Sequence, residues 1–440
     1  ITASDVVFSF NTFMTQGVIY FRNYYKDVDQ AQVLGSHKVK FTLNAPRPDI
    51  LHGLAGLHIL PEHYWKNRNF SEPAIEVPLG SSGLTIDSYK MGQYVMIKRL
   101  NDYWAKDLPV NKGKYNFDFI RYDYYKDEIV SLEAFKAGDI DFRSENVATQ
   151  WASLYTGENF IKQNIIKEEI SHEIPQPMQA FIYNTQRPVF KDIRVREALS
   201  YAMDFEWMNL HLFHNQYTRT RSFFQNTEYE AKGLPTPQEI QILEPIKDKI
   251  PERVYTKEYQ PPVTDGSGNI RPQMRKILSL LKKAGWEVRD RKMTHMETGK
   301  AMSFELLLYS PTLERFAIPF QDNLKKLGIT MNIRRVDTSQ YINRLRTRDF
   351  DMISSGYSAN TFPSTNLKVT WHSAYIDSTY NQAGVMDPAI DHLTEKIDQY
   401  QMDKQALLVY GRALDRVLQW NFFVIPQWYL RKFRGAYWNK

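Results

Sequence analysis

Histidines are the first residues in this sequence whose type could support chemistry, because imidazole is a common metal ligand. His52, His58 and His63 lie within one short segment, and His211 and His214 lie three residues apart. Neither group has an acidic cluster beside it or the spacing of a ligand pair. We therefore expect surface or half-buried histidines, no metal site and no cofactor.

Nucleophilic chemistry finds little support in the sequence. There is no GxSxG or HExxH motif, and without cysteine there can be no thiol nucleophile, disulfide or Cys-ligated metal. The chain has 50 acidic residues, so chance carboxylate pairs are numerous and carboxylate catalysis stays open. We expect a binding protein without catalytic residues, and keep a peptidase or glycosidase as the alternative.

Composition and charge argue against a nucleic-acid-binding protein and against a membrane-spanning one. Lys and Arg number 56 against 50 Asp and Glu, and the basic residues are interspersed, which argues against a nucleic-acid surface. No apolar stretch reaches the roughly 18 residues that favour a membrane span. Aromatic residues make up 14% of the chain. They could fill large cores or line a cleft that accepts varied side chains, and both interpretations stay open.

Strands and helices alternate over 272–355, and these elements are expected to position a site. This order predicts an α/β architecture with a largely parallel sheet covered on both faces. The predicted helices are 272–284 and 313–327, and the predicted strands are 304–309, 329–333 and 350–353.

Prolines predict where regular structure is interrupted. Pro319 should kink or divide the helix in which it falls, and Pro46 and Pro48 should end a strand predicted at 38–43. Six prolines between 235 and 262 predict a long irregular loop with little regular structure.

Two segments stand out as candidate functional regions. Loop 354–373 follows the last predicted strand, and ligands bind beyond the carboxyl ends of parallel strands. The apolar run Met178–Tyr183 is followed by a break and then by Asp192, which is a favourable helix N-cap. From spacing alone, this second segment is either an ordinary loop or a passage between two lobes.

Several longer motifs occur in a fixed order. They include ITASDVVFSF at the start, DYWAKDLPVNKGKYNFD at 102–118, EAFKAGDIDFRSE at 133–145 and YNTQRPVFKDIRVREAL at 183–199. Together they resemble family 5 extracellular solute-binding proteins of ABC transporters, the oligopeptide/dipeptide-binding type, over essentially all of 1–440. The chain also contains, in this order, the motifs AGWEV, TGK, FELLL, LGI, IRRVD and FDM. These motifs resemble those of the YejA-like branch of the family, which is linked to uptake of oligopeptides and of microcin C.

The resemblance implies a two-lobed α/β receptor with the type II periplasmic-binding-protein fold of the large cluster C type. It implies a remnant of an accessory subdomain at 1–75, lobe I at 76–183, lobe II at 184–425 and a return to lobe I at 426–440. The motif that opens this chain lies well inside sequences of the family. We therefore expect a chain incomplete at both ends, a signal peptide upstream of residue 1 and a periplasmic location.

The function that the resemblance implies is capture and delivery. A monomeric receptor would hold an oligopeptide in the cleft between its lobes and pass it unaltered to the permease subunits, meeting the membrane complex only peripherally. Some relatives of this fold bind metal chelates, haem or sugars, so a non-peptide ligand stays open.

The family motif GWxAD supplies the first predicted ligand contacts. It aligns on Gly356, Tyr357, Ser358 and Asn360, and places Asn360 where related receptors carry an aspartate that pairs with the α-ammonium group of the peptide. A neutral amide loses the charge-assisted part of a bond typically worth about 1.5–3 kcal/mol. We therefore expect peptides with blocked or modified N-termini, such as microcin C, to be tolerated.

The remaining predicted ligand contacts are aromatic side chains and residues of the predicted hinge. For Phe223, Phe224 and Trp371, a position in the core and a position in the wall of the cleft both stay open. The hinge residues, near the expected crossings at 184 and 427, are Tyr183, Asn184, Trp428 and Tyr429.

Overall fold

The computed structural model describes residues 1–45, 50–72 and 75–440. The chain forms two compact units. The first contains Ile1–Ser144, Gly157–Lys167 and Gly435–Lys440, and the second contains Glu145–Thr156 and Glu168–Arg434. The predicted lobe boundaries at 183/184 and 425/426, and with them the expected crossings, fall inside the second unit. The predicted division into lobes stays a prediction.

Helices and strands are interspersed along the described residues. Up to residue 171 they are α1 (Ala3–Gln16), α2 (Ile19–Tyr24), β1 (Val28–Gly35), β2 (Lys38–Leu43), α3 (Ile50–Ala55), α4 (Glu62–Trp65), β3 (Leu84–Lys90), β4 (Tyr94–Arg99), β5 (Phe119–Asp123), α5 (Glu128–Ala137), β6 (Phe142–Ser144), α6 (Ala148–Ser153), α7 (Glu158–Ile161) and β7 (Ile165–Ser171).

The elements that follow lie largely in the second unit. They are β8 (Met178–Tyr183), α8 (Ile193–Ser200), α9 (Phe205–His211), β9 (Thr218–Arg219), α10 (Pro237–Leu243), α11 (Arg253–Thr256), α12 (Arg271–Lys283), β10 (Trp286–Arg289), β11 (Lys292–His295), β12 (Ser303–Leu308), α13 (Pro311–Lys325), β13 (Thr330–Arg335), α14 (Thr338–Arg346), β14 (Met352–Tyr357), α15 (Leu367–Trp371), α16 (Pro388–Gln399), α17 (Lys404–Trp420), β15 (Val424–Pro426), β16 (Trp428–Tyr429) and β17 (Lys432–Trp438). In the part of the chain that the structure describes, no helix is both long and apolar enough to cross a membrane.

The first unit is built on a short helix, a hairpin and a separate antiparallel sheet. Helix α1 begins with a capping box, in which the Thr2 N–H donates to the Asp5 carboxylate at 2.7 Å. Its buried Phe10 and Phe13 belong to a small core with residues of the β1–β2 hairpin. The predicted strand 38–43 is confirmed as β2, whereas Pro46 and Pro48 lie outside the described residues. Strands β3, β4 and β5 pair antiparallel in sequence order.

The second unit is organised by a five-stranded sheet in the order β13-β12-β14-β8-β15. Strand β12 pairs in parallel with β13 and with β14, while β8 pairs antiparallel with β14 and with β15. The sheet is therefore mixed. The prediction of a largely parallel sheet holds for the three strands β12, β13 and β14 but not for β8, which runs antiparallel to its neighbours. The correction arises because β8 comes from a distant part of the chain and inserts between β14 and β15 in the opposite direction.

Strand β8 shows how both faces of this sheet are covered. Met178, Ala180 and Ile182 contribute to one buried cluster, and the alternate residues Phe181 and Tyr183 contribute to another. Successive side chains of a strand point to opposite faces, so a strand buried on both sides reads as one continuous apolar run. That run is what made β8 recognisable in the sequence.

The loop predicted from the prolines at 235–262 was wrong. The segment 235–262 contains α10, a 3₁₀-helix at Glu244–Lys249 and α11. Pro237 occupies the first turn of α10, where its missing N–H has no intrahelical partner to lose, and Thr236 with Glu239 forms a capping box there. Pro319 lies inside α13, which continues through it as one helix, so the helix is not divided there and the kink stays a prediction.

Candidate functional site

Four strands of the second unit end along one side of its sheet, which we call the carboxyl edge. Strands β12, β13 and β14 are parallel, and β15 shares their direction because it and β14 both pair antiparallel with β8. Ligands of open α/β sheets bind beyond the carboxyl ends of such strands. The carboxyl edge is defined by the last residues of the four strands, which are Leu308, Arg335, Tyr357 and Pro426.

The loop predicted from chain order leaves β14 at this edge. Gly356 pairs with Gln179 of β8, and Gln382 Nε2 donates to the Gly356 carbonyl oxygen at 3.1 Å. Beyond the strand, Ser358 is exposed and Asn360 is half-buried. Asn360 Nδ2 donates to the Ser358 carbonyl oxygen at 3.2 Å, which holds the loop in a local turn. Solvent therefore reaches both polar side chains predicted for this loop.

The predicted aromatic contacts form a buried cluster on one face of the sheet. The ring of Trp371 lies 4.4 Å from that of Tyr357 and 5.0 Å from that of Phe223, measured between centroids. Burial raises the pKa of Tyr357, whose hydroxyl accepts a hydrogen bond from the Ala383 N–H at 3.2 Å. Phe224 is buried in the same cluster. Phe223, Phe224 and Trp371 therefore lie in the core, which is one of the two positions expected for them. Their contact with a ligand stays a prediction.

The predicted hinge residues at the end of β8 use their polar groups within the fold. The Tyr183 hydroxyl donates to the Arg196 carbonyl oxygen at 3.1 Å, and burial raises the pKa of this phenol. Asn184 Nδ2 donates to the Phe350 carbonyl oxygen at 2.8 Å, and Asn184 Oδ1 accepts from the Gln186 N–H at 3.1 Å. These bonds fix the turn after β8 against the segment that enters β14.

The other two predicted hinge residues form β16, which pairs with β9. Trp428 lies opposite Arg219 in this antiparallel pair, and its ring centroid is 4.5 Å from that of Phe213. The Tyr429 hydroxyl donates to Asn226 Oδ1 at 3.4 Å. Both side chains are buried. Trp428 belongs to the buried cluster that contains Tyr183, not to the cluster around Trp371.

The structure adds a buried carboxylate that the sequence did not suggest. Asp415 of α17 is fully buried and accepts hydrogen bonds from Ser222 Oγ, the Phe223 N–H, the Ala231 N–H and Gln419 Nε2, at 2.8–2.9 Å. Burial raises the pKa of Asp415 to about 7, against the opposing effect of these donors. Asp415 therefore anchors the loop that carries Phe223.

A buried ion pair beside Asp415 fixes the next part of the same loop. Arg416 Nη2 lies 3.0 Å from Glu239 Oε2, and both side chains are almost completely buried. The remaining guanidinium N–H groups donate to the carbonyl oxygens of Lys232, Gly233 and Leu234. The one sequence signal for these residues is that apolar residues flank the Asp–Arg pair on both sides within a helix. Their partners, about 180 residues away in the chain, leave no local trace.

The predicted absence of a metal site concerned five histidines. His52, His58, His63, His211 and His214 are all exposed, as expected for surface side chains. Within residues 1–45, 50–72 and 75–440, no three or more His, Asp or Glu side chains are grouped so that they could hold a metal ion.

The sequence of this chain matches one known family of proteins. The family model of bacterial extracellular solute-binding proteins, family 5, matches residues 1–377. The chain belongs to this family of solute-binding proteins, and the family predicted by resemblance is confirmed.

Individual relatives narrow the comparison to one branch. The chain is 47% identical over 440 residues to the uncharacterized protein YejA of Escherichia coli K12, covering 100% of this chain and 73% of that protein. It is 37% identical over 454 residues to the probable peptide-binding protein YejA of Agrobacterium fabrum C58, with the same coverage of 100% and 73%. The resemblance to the YejA-like branch is thereby confirmed.

Solved structures establish the fold class. The oligopeptide-binding protein AppA of Bacillus subtilis, solved with a nonapeptide, matches with a TM-score of 0.76 and 20% identity over 100% of this chain and 79% of AppA. NikZ of Campylobacter jejuni, solved with Ni(L-His), matches with a TM-score of 0.73 and 19% identity over 100% of this chain and 79% of NikZ. At such identities the likeness concerns the fold, and it confirms the predicted α/β fold of the family.

Proposed function

We propose that this protein is the receptor component of an ABC importer that captures oligopeptides in a cleft between two lobes and delivers them unaltered to a membrane permease. In this proposal it acts in the periplasm as a monomer and meets the membrane complex only peripherally. The observation that carries the proposal is the 37% identity, over the whole chain, to a relative named as a probable peptide-binding protein. The likeness to a receptor solved with a nonapeptide supports it.

Recognition through the peptide main chain suits such a receptor. Amide N–H and C=O groups are common to all peptides, so bonds to them do not depend on sequence. Each such bond contributes about 0.5–1.5 kcal/mol, so five or six bonds near the upper value sum to about 8 kcal/mol, which corresponds to micromolar binding. The turn formed by Ser358 and Asn360 at the carboxyl edge offers solvent-accessible groups for these bonds.

Asn360 extends the proposal to modified peptides. Its Nδ2 is already used by the Ser358 carbonyl oxygen, and in the described part of the chain no donor reaches its Oδ1. A neutral amide oxygen can accept one hydrogen bond from an N-terminal amine or from an N-acyl amide, whereas a carboxylate would favour the charged amine. The receptor then accepts N-blocked or modified peptides, a class that includes microcin C.

A second candidate is a non-peptide solute such as a metal chelate, haem or a sugar. It is favoured by the likeness to NikZ, which was solved with Ni(L-His), because one fold in this family accommodates chemically different ligands. A peptidase or glycosidase is the more distant alternative.

Native mass spectrometry of the purified protein separates these candidates. We expect it to carry a heterogeneous set of peptide masses, and a single metal-containing or sugar mass would contradict the proposal. Incubation with a mixed peptide library then tests the enzyme alternative. Peptides recovered intact agree with a receptor, and shortened peptides identify a peptidase.

Calorimetry with one peptide in its free-amine and N-acetylated forms tests the role of Asn360. We expect affinities within about tenfold of each other, since only the charge-assisted part of one bond differs. A larger loss on acetylation would contradict the tolerance of blocked N-termini while leaving peptide binding intact.

A further inference from the structure

Arg219 has a buried head group that the protein does not satisfy. Its Nε, Nη1 and Nη2 are each buried and have no hydrogen-bond acceptor within residues 1–45, 50–72 and 75–440. The residue as a whole is half-buried, so solvent reaches its backbone or its aliphatic stem but not its guanidinium group. A buried polar group without a partner carries a desolvation cost, and a charged group carries a larger one.

Two other buried arginines of the same unit, Arg196 and Arg416, have hydrogen-bond acceptors for their guanidinium groups. Arg196 donates to the carbonyl oxygens of Phe190, Lys191, Asn421 and Phe422 at 2.8–3.2 Å. Arg416 is equally satisfied, by Glu239 and three carbonyl oxygens. These two arginines are thus saturated by the protein itself. Arg219 differs from both.

The surroundings of Arg219 offer an aromatic face, and no acceptor among the described residues hydrogen-bonds to its guanidinium group. Its guanidinium carbon lies 5.3 Å from the Phe205 ring centroid. Glu206 is an acidic side chain that acts on its charge. One oxygen of that carboxylate, Oε2, accepts from the Thr264 N–H at 2.9 Å and from the Thr264 hydroxyl at 3.1 Å. Burial lowers the pKa of Arg219 to about 10, so the group stays charged at neutral pH. The fold therefore holds a buried cation whose N–H donors have no hydrogen-bond acceptor among the described residues, while the Glu206 carboxylate acts on its charge without bonding to it.

The position of Arg219 connects it to the candidate site. It lies opposite Trp428 in the β9–β16 pair, so the two side chains share a face. The Thr220 N–H donates to the Gln427 carbonyl oxygen at 3.0 Å, and the Gln427 N–H donates to the Gln179 carbonyl oxygen at 2.8 Å. Gln179 in turn pairs with Gly356, so β9 is tied to the carboxyl edge by a continuous set of backbone hydrogen bonds.

We propose that Arg219 is an anion site of the second unit that receives a carboxylate group of the bound solute. The inference rests on the proposed receptor function and names the chemical group that the solute must carry. A guanidinium group presents its N–H donors in a planar fork that matches the two oxygens of a carboxylate. The guanidinium nitrogens are buried beside the Phe205 ring, and a buried environment strengthens such a pairing.

The test compares tripeptides as free acids with the same tripeptides as C-terminal amides, by calorimetry. We expect the wild-type protein to bind the free acids at least about tenfold more tightly, the size of one charge-assisted interaction. In Arg219→Met this ratio should fall to about one, and Arg219→Lys should give an intermediate ratio because a point charge replaces the fork. Arg275→Met, an exposed position on α12, is the matched control and should keep the wild-type ratio.

Further measurements keep the inference separable from the proposed function. Sodium acetate, titrated against sodium chloride at constant ionic strength, should raise the melting temperature of the wild-type protein but not that of Arg219→Met. This result would support the carboxylate site even if no tripeptide bound, in which case peptide capture would be the part that fails. Equal protection by chloride would overturn the assignment to a carboxylate.

Two more outcomes would overturn the assignment. An acid-to-amide ratio unchanged in Arg219→Met would show that peptides bind without using this group. A Glu206→Gln variant that is destabilised as much as Arg219→Met, with no further loss in the double variant, would show that Arg219 pairs internally with Glu206 in solution.

Discussion

Replacement of Asp415 by asparagine should change how the stability of this protein depends on pH. The carboxyl group is fully buried and its pKa is raised from 3.8 to about 7. The folded protein therefore holds a proton that the unfolded chain releases at lower pH. Between those two pKa values the folded state binds more protons than the unfolded state, so stability is lost as pH rises.

The size of the effect follows from the shift in pKa. A rise from 3.8 to about 7 corresponds to about 4 kcal/mol, of which about 3 kcal/mol falls between pH 4.5 and pH 8. Asparagine is close in shape to a protonated carboxyl group and has no charge to bury. At pH 4.5 the variant and the wild type should unfold with similar free energies, and at pH 8 the variant should be the more stable by up to about 3 kcal/mol.

Urea unfolding of both proteins at pH 4.5, 6 and 8 measures this difference. The other titrating groups are shared, so subtracting the two free energies of unfolding isolates Asp415. A difference that does not change with pH would refute the reasoning. A variant that loses stability as pH rises would show that the hydrogen bonds from Ser222, Phe223, Ala231 and Gln419 keep the carboxylate ionised.

Three further predictions test the fold and the site. Glu239→Gln leaves the buried charge of Arg416 without its partner, so it should lower the free energy of unfolding in urea by about 3–5 kcal/mol. The control Glu314→Gln breaks an exposed ion pair and should cost less than about 1 kcal/mol, and equal losses in the two variants would contradict the distinction. Gly328→Ala should lower the free energy of unfolding by about 1–3 kcal/mol, because φ at this residue is +74° and a Cβ would lie 2.6 Å from the Arg291 carbonyl oxygen. Thermal melts measure the loss, and an unchanged melting temperature would contradict the prediction. Asn360→Asp should raise the affinity for a free-amine peptide about tenfold in calorimetry without raising that for its N-acetylated form, and a parallel change of both would rule out a role at the N-terminus.

Local structure was largely readable from the sequence. The helix predicted to begin at Asp192 does so, with the Asp192 side chain accepting from the Arg194 N–H. The strand and helix predicted at 304–309 and 313–327 are found as β12 and α13, within about two residues at each end. Such features depend on contacts between residues a few positions apart, which composition and spacing record directly.

Family membership was also predictable from the sequence, because ordered motifs along the chain retain the family pattern. The residues that make the predicted loop polar, Ser358 and Asn360, were found in this way and are accessible in the structure. Aromatic residues were harder to assign. An aromatic side chain satisfies a core and a ligand cleft equally well, so the sequence could not show that Trp371 packs on Tyr357 and Phe223 in a buried cluster.

Only the tertiary structure decided the strand order and the partners of the buried charges. Strand β8 enters the sheet antiparallel between β14 and β15, which turned an expected parallel sheet into a mixed one. Asp415 binds Ser222 across 193 residues, and Arg416 binds Glu239 across 177 residues. Arg219 is left with no hydrogen-bond partner in the described part of the chain. The sequence determines which segments can become helices and strands, because that choice depends on near neighbours. The pairing of distant segments, and with it the environment of each buried charge, depends on how the whole chain packs, and no local pattern records it.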